Sequence, residues 1–227
     1  MKNTILVLLI LVSGKLVAQN RSTVFYDSAG QLTTFEGHWA QVVTGRYKSV
    51  YHKSENKKTL VKTTSDEFQH ELRKTEKRIT KSDKLGTNFP DFDVYDLGGT
   101  RFTKVDLAGK VIVLNFWFIG CAPCEMERPS LNELTTFYKD NTDVVFISFA
   151  RNNKEELRSF LSDHPVLFAV IPTNKDFMKT NFDVNEYPVN IIVGRDGKYF
   201  FNSAGSGVGI GEILQKHIKE AERVTMR

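Results

Sequence analysis

The chain has 227 residues, 41% of them hydrophobic and 26% charged, with a formal net charge of +4. That length holds one ordinary domain plus a smaller module, and the balance of apolar and charged residues excludes both a disordered chain and a multi-span membrane protein. The positive excess shrinks further without Lys2 and Lys15 and gives no basis for nucleic-acid binding.

A positive start at Lys2, an apolar run from Ile5 to Val12 and the small residues Ser13, Gly14 and Ala18 make residues 1–18 a secretory signal pattern. Its apolar core falls short of the ~20 residues that a spanning helix needs. Cleavage after Ala18 is therefore expected over anchoring, although Leu16 is not the small residue preferred at its position. No Cys lies near the end of the segment to take an acyl chain. The expected location is the periplasm or cell envelope.

Residues 20–84 read as a small β-rich module that ends in a helix. From Thr23 to Leu60, short stretches around Val24 and Tyr26, Val42 and Val43, and Tyr47, Val50 and Tyr51 are broken by Ser28-Ala29-Gly30, Gly37 and Gly45, as in strands joined by tight turns. Thr64 and Glu67 have capping-box spacing, and Phe68, Leu72 and Ile79 then share one helical face through a basic stretch ending near Lys84. The cluster Arg73, Lys74, Lys77, Arg78 reads as a solvated helix face.

The texture changes at Leu85. Phe89 to Val94 followed by Gly98-Gly99 predicts a hairpin, and Leu107 to Lys110 a turn. Val111 to Phe118, nearly all apolar and β-prone, predicts a strand buried on both faces. A helix over Glu125 to Tyr138 carries Leu131, Leu134 and Phe137 at helical spacing. Then come a strand at Val144 to Phe149, a helix capped by Asn152 or Asn153 and stopped by Pro165, and a strand at Val166 to Ile171. A short helix (Asp176 to Phe182), strands at Val189 to Val193 and Lys198 to Phe201, and a helix from Gly211 to Glu222 complete an alternating α/β pattern.

Only two cysteines occur, in Cys121-Ala122-Pro123-Cys124, between a buried strand and a helix. A disulfide framework is excluded on count. A zinc site needs two further ligands, and His38, His52, His70, His164 and His217 lack paired ligand spacing. A structural disulfide closing so small a loop constrains the unfolded chain little. Redox work explains the pair better. A cysteine at a helix N-terminus faces unpaired N–H groups and the positive end of the helix dipole, which favours its thiolate. Cys121 is thus the candidate nucleophile and Cys124, one turn further in, the resolving thiol. Pro123 is admissible in the first helical turn, where its missing N–H costs nothing.

Asn115-Phe116-Trp117-Phe118-Ile119-Gly120 before Cys121, and Glu127-Arg128-Pro129 after Cys124, resemble the TlpA/ResA branch of the thioredoxin superfamily, exported or membrane-tethered disulfide reductases. The resemblance spans residues 85–227, including Phe89-Pro90-Asp91-Phe92 and Leu107-Ala108-Gly109-Lys110. It implies a thioredoxin fold, a central mixed sheet flanked by helices, for that part of the chain. It also assigns Pro188 in Tyr187-Pro188-Val189 as the cis-proline that faces the CxxC and helps hold substrate backbone, and Trp117 as an aromatic beneath the motif. Asn115 stands where thioredoxin has a buried acid and cannot act as that base. Glu127 is the remaining candidate to deprotonate Cys124, against the alternative of a helix residue that holds backbone or faces solvent. The family has an aromatic directly before its first Cys, and Gly120 here predicts a more open surface around Cys121. Glu186, beside the proline, is a candidate for tuning partner choice by charge.

With Ala122-Pro123 between the cysteines and Glu125 next to them, nothing in the motif stabilises a thiolate strongly, so a reductant is expected over an oxidase. No cofactor is expected beyond the chain's own dithiol. The implied partners are disulfide-containing envelope proteins, with a membrane thiol relay as electron donor. Relatives reduce apocytochrome c, sporulation or envelope proteins, or act as relays. Two rival readings are a thiol peroxidase of related fold, whose Thr and Pro are not found before Cys121, and a redox-independent envelope binding protein.

Overall fold

A computed structural model describes residues 23–224; the expected signal segment, residues 1–18, lies outside them. The chain passes through β1 (Val24–Tyr26), β2 (Leu32–Thr33), α1 (Phe35–Val43), β3 (Tyr47–His52), β4 (Lys57–Lys62) and α2 (Ser65–Ile79), then β5 (Asp93–Tyr95) and β6 (Arg101–Thr103). It continues with β7 (Val111–Trp117), α3 (Ala122–Phe137), β8 (Val144–Ala150), α4 (Lys154–Asp163), β9 (Ala169–Pro172), α5 (Lys175–Phe182), β10 (Val189–Val193), β11 (Tyr199–Ala204) and α6 (Ile210–Glu222).

The central sheet has the order β11-β10-β7-β8-β9. β7, β8 and β9 run parallel, and β10 and β11 are each antiparallel to their neighbour. This is the mixed sheet flanked by helices that the sequence predicts. Side chains alternate across a strand, so parity decides which face each residue serves. Val111 and Val113 pack with Leu131 and Leu134 of α3 and with Ile210, Ile213 and Leu214 of α6. Ile112, Leu114 and Phe116 point the other way, into a cluster with Phe89, Phe92, Met178 and Phe182. Strand β7 is buried along its whole length, which is why it reads as an apolar run broken only by Asn115.

The segment before Leu85 forms a second sheet, ordered β2-β1-β4-β3, with α1 and α2. Helix α1 departs from the all-strand expectation for Thr23 to Leu60. Thr34 caps it by accepting from the Gly37 N–H at 3.0 Å, and Glu36 favours its first turn. His38, Val42 and Val43 are its buried residues, so the Val pair that reads locally as β-prone serves a helix face.

Helix α2 starts at the expected capping box of Thr64 and Glu67 but stops at Ile79, short of Lys84. Thr80 turns extended and bridges Ser203 of β11, and Lys81 N donates to Asn202 O at 2.8 Å. The linker thereby covers the edge of the central sheet. Two smaller corrections concern the main domain. Phe137 is 63% exposed because the buried stripe of α3 runs through Leu131, Leu134 and Tyr138. The strand after Pro165 starts at Ala169, not Val166, because Asn132 takes the neighbouring backbone groups, donating to Pro165 O and accepting from Leu167 N.

The N-terminal segment does not sit apart. Val43 and Ile79 belong to the same cluster as Val111, Leu134 and Ile218, Gly209 N donates to Val43 O at 2.8 Å, and Arg46 pairs with Glu133 of α3 at 2.5 Å. No helix among the described residues is long and apolar enough to cross a membrane.

Ile79 is fully buried at this junction. Replacing it with Ala removes buried methyl and methylene groups and leaves a cavity, a loss of about 2–5 kcal/mol. Urea unfolding of Ile79→Ala should show that loss in one transition that includes the CxxC region; a loss below ~1 kcal/mol would mean that the two parts are stabilised independently.

Candidate active site

The carboxyl end of β7 delivers the motif. A tight turn in which Cys121 N donates to Phe118 O at 3.2 Å leads from the strand into α3. Gly120 sits at φ +85° in that turn, a conformation that penalises any residue with a Cβ. Two side chains hold the turn: Asn152 Oδ1 accepts from Ile119 N at 2.9 Å, and Glu125 Oε1 accepts from Gly120 N at 3.0 Å.

Cys121 is the N-cap residue of α3, Pro123 lies in its first turn, and Cys124 follows within that turn. The two cysteines form a disulfide. Both belong to a cluster with Trp117, Ala150, Leu157 and Val170, against which Phe118, Ile119 and Tyr187 pack. Cys121 is only 4% exposed and Cys124 5%. The open surface expected from Gly120 is therefore not found, because neighbouring aromatics supply cover that Gly120 lacks. The Tyr187–Pro188 peptide is cis, directly before β10.

Below the cysteines, parity places Asn115, Trp117, Ser148 and Asn190 on the face that meets α3. Trp117 Nε1 donates to Ser148 Oγ at 2.5 Å. Asn115 and Asn190 are direct partners across the β7–β10 pair, and both converge on Glu127. Asn115 Nδ2 donates to Glu127 Oε1 at 3.1 Å and to Asn190 Oδ1 at 2.9 Å, and Asn190 Nδ2 donates to Glu127 Oε1 at 3.2 Å. Glu127 is wholly buried. Burial pushes its carboxyl up to about 7, with the amide donors of Asn190 and Asn115 pulling the other way. It does not face solvent.

A cavity of about 20 Å³, enough for one water, is lined by Asn115, Trp117, Cys124, Arg128 and Leu131 among others. Asn115 thus spans from the wall beside Cys124 to the Glu127 carboxyl.

Two participants escaped the sequence reading. Asn190 left the same trace as Asn115, a lone amide in a buried apolar strand, and two such strands pairing was the available signal. Arg151, at the end of β8, carried no local signal at all. Its guanidinium lies 4.3 Å over the Phe118 ring and 5.4 Å from the Tyr187 ring centre.

Comparison with known proteins agrees with this geometry. A family model described as Thioredoxin-like matches residues 109–199. The chain is 31% identical over 145 residues to the thiol-disulfide oxidoreductase ResA of Bacillus thuringiensis subsp. konkukian, covering 63% of this chain and 82% of that protein. It is 30% identical over 114 residues to the thioredoxin-like protein YneN of Bacillus subtilis, covering 49% of this chain and 66% of that one, just under two thirds of its length. Among solved structures, a thiol:disulfide interchange protein of the thioredoxin family from Chlorobium tepidum superposes with a TM-score of 0.52 at 15% identity, over 63% of this chain and 99% of that one. At that identity the likeness concerns the fold, and it is the thioredoxin fold.

The raised pKa of Glu127 has a consequence for stability. An unfolded Glu ionises near its ordinary 4.5, while the folded one ionises at about 7. Its contribution is full below 4.5 and is lost as pH rises through 7, when the buried carboxylate becomes charged; the loss is on the order of 3 kcal/mol. Denaturant titrations between pH 4.5 and 8 should show this decline in the oxidised protein. Glu127→Gln should flatten it, and an unchanged slope in that variant would show that Glu127 is not the titrating group.

Proposed function

Because the chain belongs to the thioredoxin-like thiol-disulfide oxidoreductases of the ResA type, we propose that it is an exported reductase of protein disulfides, with Cys121 as nucleophile and Cys124 as resolving thiol. The observation that carries this reading is the pair's position, with Cys121 as N-cap of α3 at the carboxyl end of a buried strand. The unpaired N–H groups of that first turn favour a thiolate at Cys121.

In the reduced protein, the Cys121 thiolate attacks one sulfur of the substrate disulfide. A mixed disulfide forms, and the substrate's other sulfur leaves as a thiolate that takes up a proton. Cys124 then gives its proton to Glu127, three residues further along α3, and attacks the Cys121 sulfur. The Cys121–Cys124 disulfide forms and the second substrate sulfur is released. A group ionising near 7 is matched to holding that proton at physiological pH. Asn115 and Asn190 orient the acceptor. Pro188, in the loop beside Tyr187, serves to hold substrate backbone, and Trp117 with Pro123 shapes the floor and first turn of the site. Two electrons from a thiol donor, a membrane relay in this reading, restore the dithiol.

Several features support the reducing direction. The motif's interior holds only Ala122 and Pro123, Glu125 lies in the first turn of α3, and the Glu127 carboxylate, once ionised, disfavours a second negative charge at Cys124. A thiolate that is not strongly stabilised belongs to a couple of low potential. Export is supported by the signal pattern of residues 1–18 together with the resemblance to exported reductases.

Equilibration of the Cys121–Cys124 couple with defined thiol buffers should give a potential of about −250 mV or lower, whereas a value near about −120 mV would mark an oxidase. Cys124→Ser should accumulate a mixed disulfide with a protein substrate, because attack proceeds and resolution does not. Cys121→Ser should accumulate none. Trapping through Cys124 instead would reverse the two roles.

A further inference from the structure

Arg151, like Arg128 at 5.5 Å over the Phe160 ring, is held by aromatic rings and not by a carboxylate. Arg46, Arg101 and Arg195 are each paired with a carboxylate. Among the described residues, no carboxylate forms an ion pair with Arg151. Its cation is instead held by rings. The guanidinium carbon lies 4.3 Å over Phe118 and 5.4 Å from the Tyr187 centroid, and those rings meet edge to face at 5.2 Å. Burial raises the Tyr187 hydroxyl's pKa while the Arg151 charge pulls it back, so the guanidinium lies close to that hydroxyl as well.

The base of the side chain is equally constrained. Arg151 N donates to Trp117 O at 3.0 Å, and the next residue, Asn152, accepts from Ile119 N at 2.9 Å. Both bonds reach the segment that carries Cys121. Phe118 shares the tight turn with Cys121, Tyr187 adjoins Pro188, and both rings pack on the cluster that contains the two cysteines. Glu186, the charged residue beside Tyr187, is engaged by Lys81 at 3.3 Å.

Stacking on a ring uses the faces of a guanidinium, and with one edge turned to the Tyr187 hydroxyl the remaining in-plane N–H donors can meet a planar anion. Any disulfide substrate must bring one sulfur to the Cys121 sulfur. Its chain advances by about 3.3–3.6 Å per residue, so residues within a few positions of its reactive cysteine are within reach of the Phe118–Tyr187 pair, which packs on the cysteine cluster. We propose that Arg151 selects substrates by binding the carboxylate of an Asp or Glu within a few residues of the cysteine that Cys121 attacks. The inference deepens the reductase reading and rests on it, because only a disulfide substrate brings flanking residues to this surface.

The test uses two synthetic peptides, each with one internal disulfide, identical except that Glu or Lys flanks the same cysteine on both sides. The pre-reduced full chain should reduce the Glu peptide about fivefold faster than the Lys peptide at low salt, as befits a partly exposed charge pair. Added salt should shrink the margin. Arg151→Gln should remove the preference while still reducing both peptides. Arg151→Lys, which keeps the charge without the planar fork, should retain part of it and keeps the test decisive if the Gln variant does not fold.

Equal rates for both peptides with the unaltered chain would overturn the proposal. So would an Arg151→Gln variant that slows both peptides alike while its Cys121 thiol pKa rises, since Arg151 would then act on the thiolate and not on the substrate. If the unaltered chain reduces neither peptide while dithiothreitol reduces both, the reductase reading itself fails, a result distinct from the loss of selectivity.

Discussion

A carboxyl group without access to water sits where β7, β10 and α3 meet, and the geometry around the cysteines follows from how that burial is satisfied. An isolated buried carboxylate is strongly disfavoured, and the Asn115 and Asn190 amides that donate to Glu127 offset part of that cost. Those amides are fixed in turn by strand pairing, since Asn115 and Asn190 face each other across the β7–β10 ladder. Helix α3 is thereby tied to both strands through polar contacts as well as through Leu131 and Leu134. The turn from β7 into α3, and with it Cys121, inherits that placement. In the proposed reaction the same group takes up the proton of Cys124, three residues away on α3, so that one interaction would serve architecture and chemistry together.

The N-terminal segment extends this arrangement. It places Val43 and Ile79 in the core beneath α3 and α6, and its linker runs along the edge of β11. From there Lys81 and Lys84 reach Glu186 and Asp183, on the stretch that leads to Pro188. Exposed ion pairs of this kind contribute little stability. They do couple the position of the Pro188 loop to the N-terminal segment, so the two sides of the redox centre are supported by different parts of the chain: α3 by Glu127 and α1, the proline loop by the linker.

Around the disulfide the protein replaces a single covering residue with a composite one. Gly120 allows a left-handed turn that brings Cys121 to the helix start, and cover is restored by Phe118, Ile119 and Tyr187. Arg151 lies on the Phe118 and Tyr187 rings, with no ion-paired carboxylate among the described residues. The result is a cysteine pair that is nearly inaccessible in the oxidised state, bordered by a surface with both aromatic and cationic character.

Much of this was legible in the sequence because it depends on local rules. Capping boxes, the buried run Val111 to Trp117, the alternation of strand and helix and the CxxC at a strand-to-helix junction are set by neighbours within a few residues. The helix at Phe35–Val43 was not legible, since Val42 and Val43 favour strands by propensity, and Val43 takes a helical face because the core shared with α3 and α6 receives it. Glu127 could be named from its spacing to Cys124, but its burial, and with it a carboxyl ionising near 7, required Asn190, which lies 63 residues away. Arg151 reached the site only through the parallel pairing of β7 and β8. The sequence by itself determined the CxxC pair, its place between a buried strand and a helix, and the elements that carry it. The tertiary structure decided which distant amides and cations surround them, because desolvation and charge depend on everything within a few ångströms, and most of that comes from elsewhere in the chain.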